Sequence, residues 1–411
     1  MTSGKKQDSL VGKPTSQYTT YSTSLMVKNN TFALFILLVS RISRSIAAGM
    51  LAIVFPYLIL ISLHHSPLFL GSIFATATIF TALFGLFFGT ITDVWGRKNT
   101  LIIATALLPI SSFLLWFSTA SPMLFLAAIL GGFSATGSLA GGGIGGAVQP
   151  IQNTILADLT PEKKRTFYYA TFAFINGIAA ASGAILVQFF SIQNVLLFSG
   201  IISFSGLVVL LFFHTPNITG TFKKLESKIV IGKFTLTGLL NGISQGLITP
   251  FLIPFFIIVY HTPRTTMSLY TFFSGIIGAT ALLLAPYADK KLGFVKSITY
   301  SRALTIVLLL IFPNVRFLPV ALLIYLITPG LRILAVPIQQ TAITSMVSED
   351  ERGRALGINQ VIRLGGSSLA TEFAAGFFST PYIAVPFYLY AVVMGANIYL
   401  YKIFFKKSHH T

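Results

Sequence analysis

Apolar residues run through this chain in long blocks rather than in alternation, and short polar stretches cut the blocks apart. Twelve such segments can be marked, at roughly 32–63, 68–91, 100–119, 123–157, 166–190, 194–213, 234–260, 267–288, 297–312, 319–347, 355–377 and 381–405. A helix of about 20 apolar residues crosses about 30 Å of hydrocarbon. The pattern therefore predicts an all-α chain of twelve transmembrane helices, the ninth of them marginal in length. The fourth segment is too long to be one straight span: at ~1.5 Å per residue it would measure ~50 Å. It has to tilt, bend, protrude or unwind. Pro56 in the first segment and Pro250 and Pro254 in the seventh predict kinks, where backbone groups leave the hydrogen-bond ladder.

Composition agrees with a membrane location. Of 411 residues 54% are hydrophobic and only 9% charged, with a mean hydropathy of +0.81, whereas soluble domains carry about 25% charged residues. The net charge of +18 would suggest nucleic acid in a soluble protein, but here the basic residues form short clusters between apolar segments. No nucleic-acid partner is expected. Sorted by the loops that the segments define, and with Lys402 at the inner end of the last segment counted with its loop, 21 Lys and Arg fall on the side of the N-terminus, two (Arg264 and Arg316) on the other, and five within segments. The positive-inside rule then places both termini in the cytoplasm and the chain in the cell membrane. Residues 1–30, rich in Ser, Thr and Lys, read as a disordered cytoplasmic tail. The absence of cysteine and the scatter of the six histidines give no ligand spacing, so neither metal nor cofactor is expected. A membrane enzyme would need a metal cluster or an acid/base constellation, and neither is present; a non-transporting sensor would be expected to carry a soluble signalling domain.

The chain repeats itself. Pro150–Arg165 aligns without gaps with Pro337–Arg352 at an offset of 187, six of sixteen positions being identical, among them Gln152/Gln339, Glu162/Glu349 and Arg165/Arg352. His65-Ser-Pro67 matches His261-Thr-Pro263, and Asp93 matches Asp289, both at an offset of 196. Two parallel six-helix halves follow, 31–213 and 234–411, joined by a polar linker, 214–233, expected to be a flexible cytoplasmic hinge.

The loop between the second and third segments reads Gly89-Thr-Ile-Thr-Asp93-Val-Trp-Gly96-Arg97-Lys98, a G-x3-D-x2-G-R-K pattern. The glycines permit a tight turn, Asp93 can cap or pair with a helix end, and Arg97 and Lys98 stand where cytoplasmic loops collect positive charge. This motif resembles the loop between helices 2 and 3 of the major facilitator superfamily of secondary transporters. With twelve segments, the 6+6 repeat, the degenerate copy Asp289-Lys-Lys-Leu-Gly293 and the Arg352-Gly-Arg-Ala-Leu-Gly357 run, the resemblance extends over nearly all of the chain after residue 30. It implies two bundles that rock about a midplane site by alternating access. It also implies a conformational latch of Gly89, Asp93, Gly96, Arg97 and Lys98 that holds the halves together in one state. The second-half copy has an extra residue and lacks the Gly-Arg pair, which puts its latch role in doubt. Drug/proton antiporters of the family usually carry an arginine four residues before a glycine in helix 4 and a Gly-Pro pair in helix 5. Here Ala127 and Ala128 precede Gly131 and Gly132, and Asn176–Ala184 contains no proline, which weakens the drug-efflux reading.

Polar residues inside the segments are the candidates for chemistry. The run Gly141–Gly146 is preceded by no strand and followed by no Gly-Lys-Ser/Thr, so it does not resemble a phosphate loop. Its Gly-x3-Gly spacings either let a neighbouring helix approach closely or mark an unwound turn beside Gln149, Gln152 and Asn153. Charges at membrane depth are costly and are functional candidates by default. Arg41, Arg302 and Arg363 are expected to snorkel to the inner headgroups, while Arg332, near the middle of its segment, needs a partner or a water-filled cavity. By the resemblance, helices 1, 4, 7 and 10 line the cavity, which would make Arg44, Arg332 and Glu372 neighbours. Asn241 and Gln245, four apart, share a helix face, as do Gln149 and Gln152, with Gln339 nearby. The substrate-binding set is accordingly Arg44, Gln149, Gln152, Asn241, Gln245, Arg332 and Gln339, with Glu372 as the proton-coupling group. The chain reads as a monomeric secondary transporter of a small polar, anionic organic solute, coupled to protons. A multidrug or hydrophobic-compound exporter is the alternative.

Overall fold

The computed structural model describes residues 16–133, 146–160, 165–214, 226–348 and 351–405, and among them it is helical with no strand. The helices are α1 (Ser16–Tyr57), α2 (Pro67–Trp95), α3 (Arg97–Phe117), α4 (Ser121–Gly131), α5 (Gln149–Leu159), α6 (Arg165–Leu186) and α7 (Ile192–Leu211) in the first half. The second half holds α8 (Lys228–Ile248), α9 (Leu252–Tyr260), α10 (Arg264–Leu292), α11 (Phe294–Ile311), α12 (Leu318–Met346), α13 (Arg352–Phe378) and α14 (Val385–Phe404). Among the described residues ten spans are long and apolar enough to cross a membrane, and α8 and α9 make one of them together. The α4–α5 region and α13, whose apolar run is diluted by Arg354, Arg363 and Glu372, occupy the fourth and eleventh positions. The described helices are thus consistent with twelve crossings.

The breaks fall near the expected places. After Pro56 the first span widens into a π-helical turn over Leu58–Ser62. The seventh is broken by a 3₁₀ turn at Thr249–Phe251, where Pro250 removes a donor from the ladder. In the fourth, α4 ends at Gly132, whose left-handed backbone (φ 59°) lets Gly132 and Phe133 close the carbonyls of the last turn, and the chain is helical again from Gly146. Gly141–Gly145 lie outside the described residues. One expectation fails at the start of the chain. Residues 16–30, expected to be disordered, continue α1; they contain neither Gly nor Pro and join an existing helix, which removes the cost of nucleation.

The repeat is visible in the backbone at an offset of 197, one more than the sequence match suggests. His64 and His261 both adopt left-handed φ (54° and 50°) at equivalent helix ends, and Gly96 and Gly293 share φ values of 79° and 77° between consecutive helices. The two helices between these points are both 29 residues long, so in the structure no residue is inserted before Gly293, and position 93 aligns with Lys290 rather than Asp289.

The packing shows how the halves meet. One apolar core, from Met50 and Leu70 in the first half to Phe251, Phe255 and Phe378 in the second, fills the end of the molecule away from the basic loops. Toward the basic side it divides into two, one around Leu37, Leu101 and Ile155, the other around Phe234, Ile298 and Tyr401. Hydrogen bonds between the halves follow the same division. Tyr57 Oη donates to the Thr262 carbonyl (2.6 Å), Ser268 Oγ to Ala184 (2.5 Å), Arg264 Nη2 to Phe190 (2.7 Å) and Ser368 Oγ to Ala75 (2.7 Å). All four lie between the middle of the helices and the side opposite the basic loops. Gly71 lets α2 approach α13 here, since a Cβ would strike Ala375. The two halves are closed on that side; toward the basic side their main cores are separate, with a small contact of Ala173 on Leu282 and Ile333 between them.

Candidate functional site

Helix α8 carries a polar stripe at one-turn spacing, Asn241, Gln245 and Thr249, which ends where the helix breaks. The adjoining glycine face explains how it is presented. Gly238, Gly242 and Gly246 pack on α13 so closely that an added Cβ would fall on Asn359, on the Arg363 carbonyl and on the Ser367 carbonyl respectively. The first half repeats the contact, with Gly49 on the Ala180 carbonyl and Gly183 on the Ile46 carbonyl. Small residues allow helices to touch backbone to backbone. This fixes the α8–α13 pair and with it the side chains at its edge.

Two arginines meet the stripe. Arg332 is the middle residue of the 29-residue α12, about 21 Å from either end, and its Nη2 donates to Thr249 Oγ1. Arg363 on α13 donates from Nη1 to Gln245 Oε1 (2.9 Å), and Gln245 Nε2 makes a long contact with Asn241 Oδ1 (3.4 Å). Arg363 thus does not snorkel; its helix is locked against α8, and Gln245 is within reach across the contact. Both arginines are half-buried, and among the described residues their partners are neutral.

The other inner arginines also depart from snorkelling. Arg302, 5% exposed, donates to Asn397 Oδ1 and more distantly to Gln339 Oε1 (3.4 Å), and its guanidinium lies 4.7 Å from the centre of the Tyr401 ring. Gln339 is therefore engaged inside the second half rather than beside the stripe. Arg41 lies over Phe172 at 6.0 Å, and Arg44, three residues on along the same helix, is also buried. Gln149 opens α5 half-buried, while Gln152 is 2% exposed with its Nε2 lacking a partner among the described residues.

Glu372 is not beside Arg332. It is exposed on α13 toward the closed side and accepts a hydrogen bond from Ser72 Oγ of α2 (2.8 Å). The reason is helical phase: Thr371 donates to the Gly246 carbonyl, so Glu372 is near the depth of Thr249, but nine residues from Arg363 it stands on the opposite face of α13, which faces α2. In the loop after α2, Gly96 has the left-handed backbone the motif requires, Arg97 is buried, Lys98 Nζ donates to the Leu211 carbonyl (2.9 Å), and Gly89 has open space around it. The side chain of Asp93 lies outside the described residues.

Sequence reading missed Thr249, although its four-residue spacing from Gln245 and its place before Pro250 were both legible. It also missed Glu351, which is 1% exposed and accepts backbone N–H groups of Glu226 and of Ser227 (3.1 Å to Oε2) at the start of α8. The end of the expected hinge is thereby fastened to the α12–α13 turn. No local signal marks such a contact, because its partners are 125 residues apart.

A multi-pass membrane protein, helical throughout its described residues, in two repeated halves with charged and polar groups at mid-depth has the architecture of a membrane transporter. Residues 34–371 match the Major Facilitator Superfamily, and the chain belongs to that family, which comprises membrane transporters and not, in general, enzymes. It is similar to the multidrug resistance protein MdtG of Proteus mirabilis (strain HI4320), with 25% identity over 362 residues, covering 80% of this chain and 84% of the relative. Among solved structures it resembles the nucleoside transporter NupG (TM-score 0.71, 13% identity, 91% of this chain and 100% of that one). It also resembles a D-xylose-proton symporter (TM-score 0.68, 16% identity, 91% and 96%). At such identities the structural likeness speaks for the fold alone.

Proposed function

We propose that this protein carries a small polar, anionic organic solute across the cell membrane by alternating access, coupled to protons, with both termini in the cytoplasm. The observation that carries this reading is the placement of Arg332 and Arg363 at mid-depth, each held by a neutral residue of the α8 stripe with no carboxylate partner among the described residues. A charge at this depth is tolerated where it faces protein or a water-filled cavity, and an unneutralised cation there attracts an anion. Asn241 and Gln245, with Gln149, Gln152 and Arg44 from the other half, complete the proposed lining; Gln339 is assigned to supporting Arg302. With the basic loops inside, the closed side is the outer one and the state described is open inward. Glu372, bonded across the halves on the closed side, is the proposed proton-responsive group: that contact has to break when the outer side opens.

The test is binding and transport by the Arg332→Ala protein. Affinity for an anionic solute should fall by about ten-fold or more, a loss of ~1.4 kcal/mol. Normal affinity and transport in this variant would make the arginine structural and remove the anionic reading. The multidrug alternative has one support, the similarity to MdtG; it predicts instead that neutral and cationic hydrophobic compounds bind and that Arg332→Ala leaves them unaffected.

A further inference from the structure

We infer that the site is built for a solute with two negative charges, a dicarboxylate or a phosphate ester, with Arg363 as the second charge-recognising residue beside Arg332. The inference rests on the reading of the site proposed above and goes on to specify the substrate class. Gln245 and Thr249 are successive positions on one face of α8, and Thr249 N–H still bonds to the Gln245 carbonyl, so one regular turn separates them, about 6 Å between side-chain origins. The guanidiniums anchored on them therefore stand side by side, one from α12 and one from α13.

Each guanidinium has five N–H donors in a planar fork, and each has a single hydrogen bond to α8. None of their remaining nitrogens is among the sealed, unpartnered polar atoms of the described residues. Among the described residues they are neither hydrogen-bonded nor fully sealed, and so can reach a solute. Arg302, by contrast, is used up within the second half by Asn397, Gln339 and the face of Tyr401. Two open cations side by side, in a medium less polarisable than water, repel each other and are best balanced by two anionic groups. Arginine forks also suit the bidentate geometry of carboxylate and phosphate. Gln245 and Thr249 are positioning residues: they hold the forks apart rather than recognise the solute.

The experiment is a binding titration of the full chain in lipid nanodiscs near pH 7.5 at constant ionic strength. The probes are succinate, its mono-amide succinamate and the neutral succinamide, with sulfate against nitrate as a compact pair. Each dianion should bind about ten-fold or more tightly than its monoanionic counterpart. In Arg363→Gln and in Arg332→Gln that preference should vanish, the dianion losing about ten-fold more affinity than the monoanion. Arg363→Lys, which keeps the charge, should retain the preference at lower affinity and serves if the glutamine variants fold poorly. Equal binding of dianion and monoanion by the unaltered protein overturns the dianion inference and leaves the anionic reading standing. If no anion binds better than succinamide, the anionic reading falls with it.

Discussion

At the scale of single residues, what distinguishes this chain is how its buried charges are satisfied. Composition and depth single out Arg332 as a charge in need of a partner, but they cannot show that the partner is Thr249, since the contact joins positions 83 apart. The same limit explains Arg363 and Arg302. A long cationic side chain a few turns from a membrane face reads as snorkelling, and only the packing of α13 on α8, or of α11 on α14, turns it inward. Glu351 gives a sharper test. Its carboxyl is held well below its ordinary value of 4.5, at about 2, first by the Ser227 hydroxyl and then by the backbone N–H groups of Glu226 and Ser227 and by Ser348, against the opposing effect of burial. A value lower in the folded than in the unfolded protein contributes stability that is complete above about 4.5 and is lost as pH falls towards about 2. Glu351→Gln should therefore melt earlier than the parent at neutral pH and increase hydrogen exchange at residues 226–231. The difference in melting should shrink over that acid window; a pH-independent difference would assign the effect to shape rather than charge.

At the scale of elements, the apolar blocks specify where helices run, and some prolines and glycines mark where they break, while Pro109, Pro286, Pro329 and Pro337 lie within unbroken helices. Pro56, Pro250 and the left-handed turn at Gly132 all mark real interruptions, because each removes a donor or permits a backbone that other residues avoid. The pattern says less about which helices touch. The spacing Gly238, Gly242, Gly246 was legible as a close-packing stripe, yet nothing local names α13 as its partner. The structure makes the consequence testable. Gly242→Ala places a methyl group on the Arg363 carbonyl, so α8 and α13 must separate and Gln245 must loosen its hold on Arg363. We expect lower thermal stability by about 1–3 kcal/mol, the usual range for overpacking, together with weaker anion binding. Gly232→Ala, on the same helix with nothing within 4 Å of the new methyl, should be neutral or stabilising by up to ~1 kcal/mol. Equal behaviour of the two variants would show that α8 and α13 are not held backbone to backbone.

At the scale of the whole molecule, the two-fold repeat and the family were legible because both are written in contiguous motifs, the Pro150–Arg165 copy and the Gly89–Lys98 loop. The state of the transporter was not, because it depends on which ends of the halves share a core. Orientation rests on the 21-to-2 division of loop Lys and Arg and can be checked cleanly, since the chain contains no cysteine. Cysteines replacing Ser66, Ser121 or Thr262 should react with impermeant thiol reagents applied outside, and those replacing Lys98, Lys224 or Lys407 should not; the reverse pattern would invert the topology and turn the open side outward. The most direct test of alternating access is a pair of distances measured by spin labelling in nanodiscs. One pair of labels, at Leu68 and Ser379, spans the closed side, where the Leu68 N–H bonds to Ser379 Oγ (2.9 Å). The other, at Asn99 and Lys296, spans the halves on the basic side. The first distance should be short and the second long in the state described here, and conditions that lengthen the first should shorten the second in the same fraction of molecules. Two distances that stay fixed, or that lengthen together, would contradict a rocking transporter.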